Sequence, residues 1–222
     1  MTLPREVAVP GMQAQYQSFA DLVRPLSSGA WETPTRCEGW RVADVAAHVV
    51  GQLTDVVNLR LEGLGTAEVT ARQVDERRGR SPAELADELG QSAKVGADIV
   101  SSFDDAAWEG PAPGGVAGTL GFGIEALWYD AYLHADDIRA ALGRESVLGD
   151  GLLVSLSHLG QILSDQGWGP ATLSFTGIGE FPVKGGGGRT VSGDPLAFVL
   201  AATGRSDPAV LGLDESVNVY RA

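Results

Sequence analysis

A helical bundle followed by a small α+β domain is the fold class the sequence predicts, and three observations lead there. Over the first two thirds of the chain, apolar residues recur at helical spacing in long segments set apart by Pro, Gly and Ser clusters. Beyond Trp168 the texture changes to short β-branched and aromatic runs punctuated by glycine. At 222 residues and 44% hydrophobic content, with a mean hydropathy near zero, the chain can bury one generous core or two modest ones.

The elements follow in order. Residues 12–26 carry apolar positions with helical spacing and stop near Ser27-Ser28-Gly29, which predicts a first helix. Residues 42–64 predict a second. At about 100° per residue, Val42, Val45, Val49, Leu53, Val56 and Val57 crowd one side, and Asp44, His48, Gln52 and Asp55 form a stripe at its edge. Ser81-Pro82-Ala83-Glu84 reads as a capping box with proline at the first helical position, opening a third helix that runs to about Phe103. After the Pro and Gly cluster of residues 110–118, a fourth helix spans residues 120–142, with Ile124, Leu127, Trp128, Ala131, Ala135, Ile138 and Leu142 on its apolar side. Here His134 lies at the edge of that face, with Asp130 one turn before it and Asp137 nearly one turn after; Asp136 falls off the stripe and is expected to be solvated.

A fifth helical segment, residues 151–166, holds His158, for which a structural role is expected. Residues 171–176 and 179–183 predict short strands, and Gly185 to Gly188 a flexible turn without the lysine and hydroxyl of a phosphate loop. Residues 190–192 predict a strand leading into a helix at Asp194-Pro195, and residues 217–220 an edge strand. The expected division is residues 1–167 and 168–222.

Charge and cysteine usage narrow the function classes. Sixteen basic against twenty-nine acidic residues give a net charge of −13, which repels phosphate backbones and anionic lipid head groups, so no nucleic acid and no membrane is expected as partner. No stretch approaches the roughly 18 apolar residues of a membrane span. A single cysteine, Cys37, and the absence of a signal-like N-terminus lead to the expectation of a reduced, cytoplasmic location. Cys37, between Pro34 and Gly39, is expected to be a buried small apolar residue, and Trp31 and Trp40 to anchor the turn around it.

The candidate chemistry lies in the histidines. Two of three sit in matching frames, Asp44-x-x-x-His48 and Asp130-x-x-x-His134, on two predicted helices. Imidazole and carboxylate delivered from packed helices is how a bundle builds a metal site with an open position. Asp44 has two readings, a favourable charge at a helix N-terminus or an acceptor for a histidine N–H.

The run Trp31-Glu-Thr-Pro-Thr-Arg-Cys-Glu-Gly-Trp40-Arg-Val-Ala-Asp-Val-Ala-Ala-His48, with His134-Ala-Asp-Asp137-Ile and Thr203-Gly-Arg205, resembles the mycothiol-dependent maleylpyruvate isomerase family. That family belongs to the wider DinB-like group of metal-binding four-helix bundles. The resemblance implies a DinB-like bundle followed by a small C-terminal domain. It also implies a divalent metal, usually zinc, held by His48, Asp130 and His134, with mycothiol as co-substrate and a small-molecule substrate. The family has glutamate where Asp130 stands, so this carboxylate is one methylene shorter. On this reading Asp137 orients an imidazole, and Arg205 grips a carboxylate on thiol or substrate. The expected function is S-transfer to, or isomerisation of, a small electrophile, by a monomer or homodimer. Thiol-independent, hydrolase-type metal chemistry and a non-catalytic ligand-binding bundle are the alternatives.

Overall fold

In the computed structural model, which describes residues 3–221, four long helices of the N-terminal unit close into a ring. They are α1 (Arg5–Val23), α3 (Val42–Val57), α5 (Pro82–Ser101) and α7 (Leu120–Ala141). Helix α1 packs on α5 and α7, and α3 packs on the same two, so each helix has two neighbours around one core. Shorter α2 (Ser28–Trp31), α4 (Ala67–Asp75) and α6 (Asp105–Glu109) fill the connections. No helix among the described residues is long and apolar enough to cross a membrane.

Local chemistry explains most boundaries. Helix α5 opens with the capping box expected of it, the Ser81 hydroxyl accepting from Glu84 N and the Glu84 carboxylate accepting from Ser81 N at 2.8 Å. Helix α7 opens on Thr119, whose hydroxyl accepts from Phe122 N. The first helix begins earlier than its periodicity suggested, at Arg5, and takes in Pro10 and Gly11. Gly11 is there because Trp128 of α7 lies against the backbone. A Cβ at that position would come within 1.9 Å of the indole. The second long helix stops at Val57 rather than near residue 64, and Leu59 enters the left-handed region with φ 58°.

The chain divides into two units between Val147 and Leu148. The sequence reading set this boundary near residues 167–170. The helix of residues 150–165 is the reason for the difference: α8 (Asp150–Asp165) packs on the strand Gly179–Val183 and on α9 (Pro195–Ala202). In the C-terminal unit, β1 (Ala171–Phe175) lies between β2 (Gly179–Val183), antiparallel to it, and β3 (Arg189–Val191), parallel to it. Asp194 caps α9 by accepting from Leu196 N and Ala197 N. Residues 217–220 do not form the expected edge strand. Asp214 caps a short 3-10 turn, Glu215–Val217, and Val219 N then donates to Ala202 O.

Candidate metal centre

A tight turn before α3 begins the site. The Thr35 backbone N–H and hydroxyl both donate to Trp40 O at 2.9 Å, Cys37 N donates back to the Thr35 hydroxyl, and Gly39 supplies the positive φ of 77° that the reversal needs. The turn is thereby fixed with Arg36, Cys37 and Trp40 directed at the bundle. Val42 N donates to Thr33 O as α3 starts, and Arg41 donates to the Asp44 carboxylate through both backbone N–H and guanidinium. Asp44 therefore acts at the helix N-terminus and not on a histidine. Although burial opposes it, the hydrogen bonds and charge of Arg41 hold the Asp44 carboxyl below its usual range.

His48 on α3 and His134 on α7 are both buried, with ring centroids 5.2 Å apart and planes nearly perpendicular. Trp40 covers the pair, its ring centroid 5.3 Å from His48 and 6.3 Å from His134. The sequence reading had this tryptophan only as a packing anchor. On α1, Tyr16 is buried in the core. Burial first, and then the charge of Asp130, push its phenol well above the usual value, which keeps it neutral.

The hydrogen bonds at the Nδ1 atoms decide what the Nε2 atoms can do. His48 Nδ1 lies 3.0 Å from Gln73 Oε1, while Gln73 Nε2 donates to Asp55 Oδ2 at 2.8 Å. A carboxylate only accepts, so the amide of Gln73 must present its oxygen to His48, and His48 carries its proton on Nδ1. Asp55 is itself fixed by Arg72 and Arg60, at 2.6 and 2.5 Å. His134 Nδ1 lies 2.8 Å from Asp137 Oδ2, which requires the same tautomer. In the neutral imidazoles both Nε2 atoms are thus lone-pair donors, the arrangement that metal-bound histidines take from the groups behind them.

Both lone pairs face Asp130. Its Oδ1 is 3.5 Å from His134 Nε2 and its Oδ2 3.8 Å from His48 Nε2, at or beyond hydrogen-bond range. One donor atom from each of the three residues lies within 4.8 Å of the others. Around a tetrahedral zinc with bonds of about 2.1 Å, neighbouring ligand atoms sit about 3.4 Å apart, so these residues fit a divalent ion after small side-chain movements. The shorter aspartate still reaches both imidazoles.

Behind His134 one arginine bridges two carboxylates. Arg36 Nε donates to Asp137 Oδ1 and its Nη2 to Asp136 Oδ2, each at 2.6 Å. Asp136, expected in solvent, is 2% exposed, because the turn before α3 reaches across to it. Cys37 is only partly buried, and its thiol donates to Asp137 Oδ2 at 3.1 Å rather than packing as an apolar group. Cys37, His134 and Asp137 also bring donor atoms within 4.8 Å of one another. Since the Asp137 carboxylate already meets His134 and Arg36, this second cluster reads as support for the first.

The other predicted residues lie in the C-terminal unit. Arg205 follows α9, and its Nη1 donates to Thr203 O at 3.3 Å. His158 is buried in α8, where loss of solvation lowers its pKa to about 4.

Comparison with known proteins gives a consistent picture. The family model described as the mycothiol maleylpyruvate isomerase N-terminal domain matches residues 12–139. A crystal structure of the mycothiol-dependent maleylpyruvate isomerase is similar over 92% of this chain and 90% of its own, with a TM-score of 0.62 and 18% identity. A histidine-to-alanine mutant of that isomerase has the same coverage and TM-score at 17% identity. Likeness at such identity concerns the fold. No curated protein matches the chain by sequence.

Proposed function

The chain belongs to the mycothiol maleylpyruvate isomerase N-terminal domain family, and from that premise we propose a metal-dependent enzyme that uses a low-molecular-weight thiol, mycothiol or a close analogue, on a small electrophile. One observation carries the reading: both imidazoles are held with Nδ1 protonated, so that two Nε2 lone pairs and the Asp130 carboxylate converge.

His48, His134 and Asp130 would hold the ion, and two nitrogens with one carboxylate suit zinc with a position left over. A dication bound there favours the thiolate over the thiol, and thiolate is the nucleophile. The remaining work belongs to the chain. Gln73 and Asp137 keep the two rings from rotating or changing tautomer. Arg36 bridges Asp136 and Asp137 and offsets one of their two charges, which lessens the repulsion that an incoming thiolate would meet from behind His134. Trp40 shields the imidazoles from water on one side. Addition of the sulfur to an electrophilic carbon gives S-transfer; addition to a conjugated double bond, rotation and reversal give isomerisation.

The test has two parts. Protein loaded with zinc and desalted should retain about one ion per chain, and His48→Ala and His134→Ala should each abolish retention. Turnover of a generic electrophile should then be faster with mycothiol than with glutathione, and slowest with no thiol. Equal rates in all three arms would overturn the thiol-dependent reading.

A further inference from the structure

The faces of α3 and α7 that carry the metal-ligating residues continue as the walls of a cleft of about 360 Å³. Gln52 stands one turn after His48 on α3. On α7, Ala126 stands one turn before Asp130, so the cleft extends the ligand stripe of both helices in the same direction. Segments near residues 61–65 and 112–117 complete its lining. That lining contains no lysine, arginine, histidine, aspartate or glutamate among the described residues.

Gln52 is the exception to the apolar wall. Its Oε1 is buried and meets no hydrogen-bond donor, although the residue lines an open cleft. A carboxylate placed against this wall would lose its water and find no side-chain cation to replace it, whereas an uncharged body would lose little and gain apolar contact. Rotation of the half-buried Gln52 side chain turns that oxygen into the cleft, where a single O–H or N–H on the body would satisfy it.

We infer that this cleft holds the body of the electrophile, and that it selects an uncharged, largely apolar molecule bearing one hydrogen-bond donor for Gln52. The inference rests on the reading of the neighbouring metal centre as the reacting site. It sets this chain apart from an enzyme for a di-acid, whose second carboxylate the bundle wall would reject.

Gly123 on α7 provides the test, because a Cβ there would meet only Ala112 Cβ, at 4.0 Å, and a larger side chain would enter the cleft. Binding to the zinc-loaded full chain is measured by calorimetry with 4-ethylphenol, 4-ethylbenzoate and 4-ethyltoluene. The phenol should bind at least about tenfold more tightly than the benzoate. Gly123→Leu should weaken the phenol by about tenfold or more while zinc content stays unchanged. If that variant does not fold, Ala126→Val fills the same wall. Gln52→Leu should weaken the phenol by about tenfold and leave 4-ethyltoluene no weaker. Benzoate binding as tight as phenol, or phenol binding untouched by filling the cleft, overturns the inference. These measurements involve neither thiol nor turnover. Rates that ignore the thiol therefore sink the proposed function alone, and a cleft without this selectivity sinks only the present inference.

Discussion

Gln73 is the residue whose replacement separates metal affinity from fold stability. It is 1% exposed, accepts from His48 Nδ1 and donates to Asp55. Gln73→Leu keeps the bulk but removes both bonds. His48 then has no amide acceptor to hold its Nδ1 proton, and the ring can turn its lone pair away from Asp130. Loss of such a supporting group costs roughly 10- to 100-fold in metal affinity, or about 1.4 to 2.8 kcal/mol. Stripping a buried donor of its partner costs about 1 to 3 kcal/mol of stability as well, while Asp55 keeps Arg72 and Arg60. Gln73→Glu should behave differently. It retains an acceptor for His48, so zinc affinity should stay within about threefold, but it sets a carboxylate against Asp55 and should unfold more easily. Zinc affinity is read by competition with a chromophoric chelator, and stability by urea unfolding in excess EDTA. If Gln73→Leu binds zinc as tightly as the parent, the tautomer argument fails, and with it the main support for the metal centre.

Two further predictions follow from charge and burial. Arg36→Ala removes the guanidinium that bridges Asp136 and Asp137, which are 2% and 0% exposed. It should cost about 3 kcal/mol by urea unfolding, the low end for a broken buried pair because Arg36 itself keeps some contact with water; a loss below about 1 kcal/mol would show that water already solvates these carboxylates. His158 is buried with a pKa of about 4 against an ordinary 6.5. The unfolded chain therefore takes up a proton as pH falls below 6.5 while the folded chain does not. Its contribution is complete above pH 6.5 and drains away down to about 4, by about 3 kcal/mol at most. His158→Leu should flatten that part of the urea midpoint curve between pH 7 and pH 4.5; an unchanged slope would assign the acid sensitivity elsewhere.

What the sequence could show was what local spacing controls. Helix α5 was readable because a capping box is completed within four residues, and α7 because its apolar face is continuous. One-turn spacing puts Asp130 and His134 on one stripe of α7, and only the family resemblance joins His48 to them; the structure brings donor atoms of all three within 4.8 Å. Gln73 was not readable, since α4 is largely polar, gives no apolar stripe to announce it, and meets His48 only through tertiary packing. Asp136 was misplaced for a related reason: its position on the helix suggests solvent, but Arg36 arrives from a turn far away in sequence. The apolar pattern overstates the length of α3 because Leu59, Leu61 and Leu64 continue it after the backbone has left the helix at Asn58.

Trp40, lying over both imidazoles, also makes the centre its own spectroscope. An open-shell ion such as cobalt(II) bound between the rings would quench its emission at contact range, whereas zinc, with a filled shell, would leave it bright. Subtracting the signal of Trp40→Phe isolates one indole from the other four, and metal exchange can then be followed second by second in the unlabelled protein.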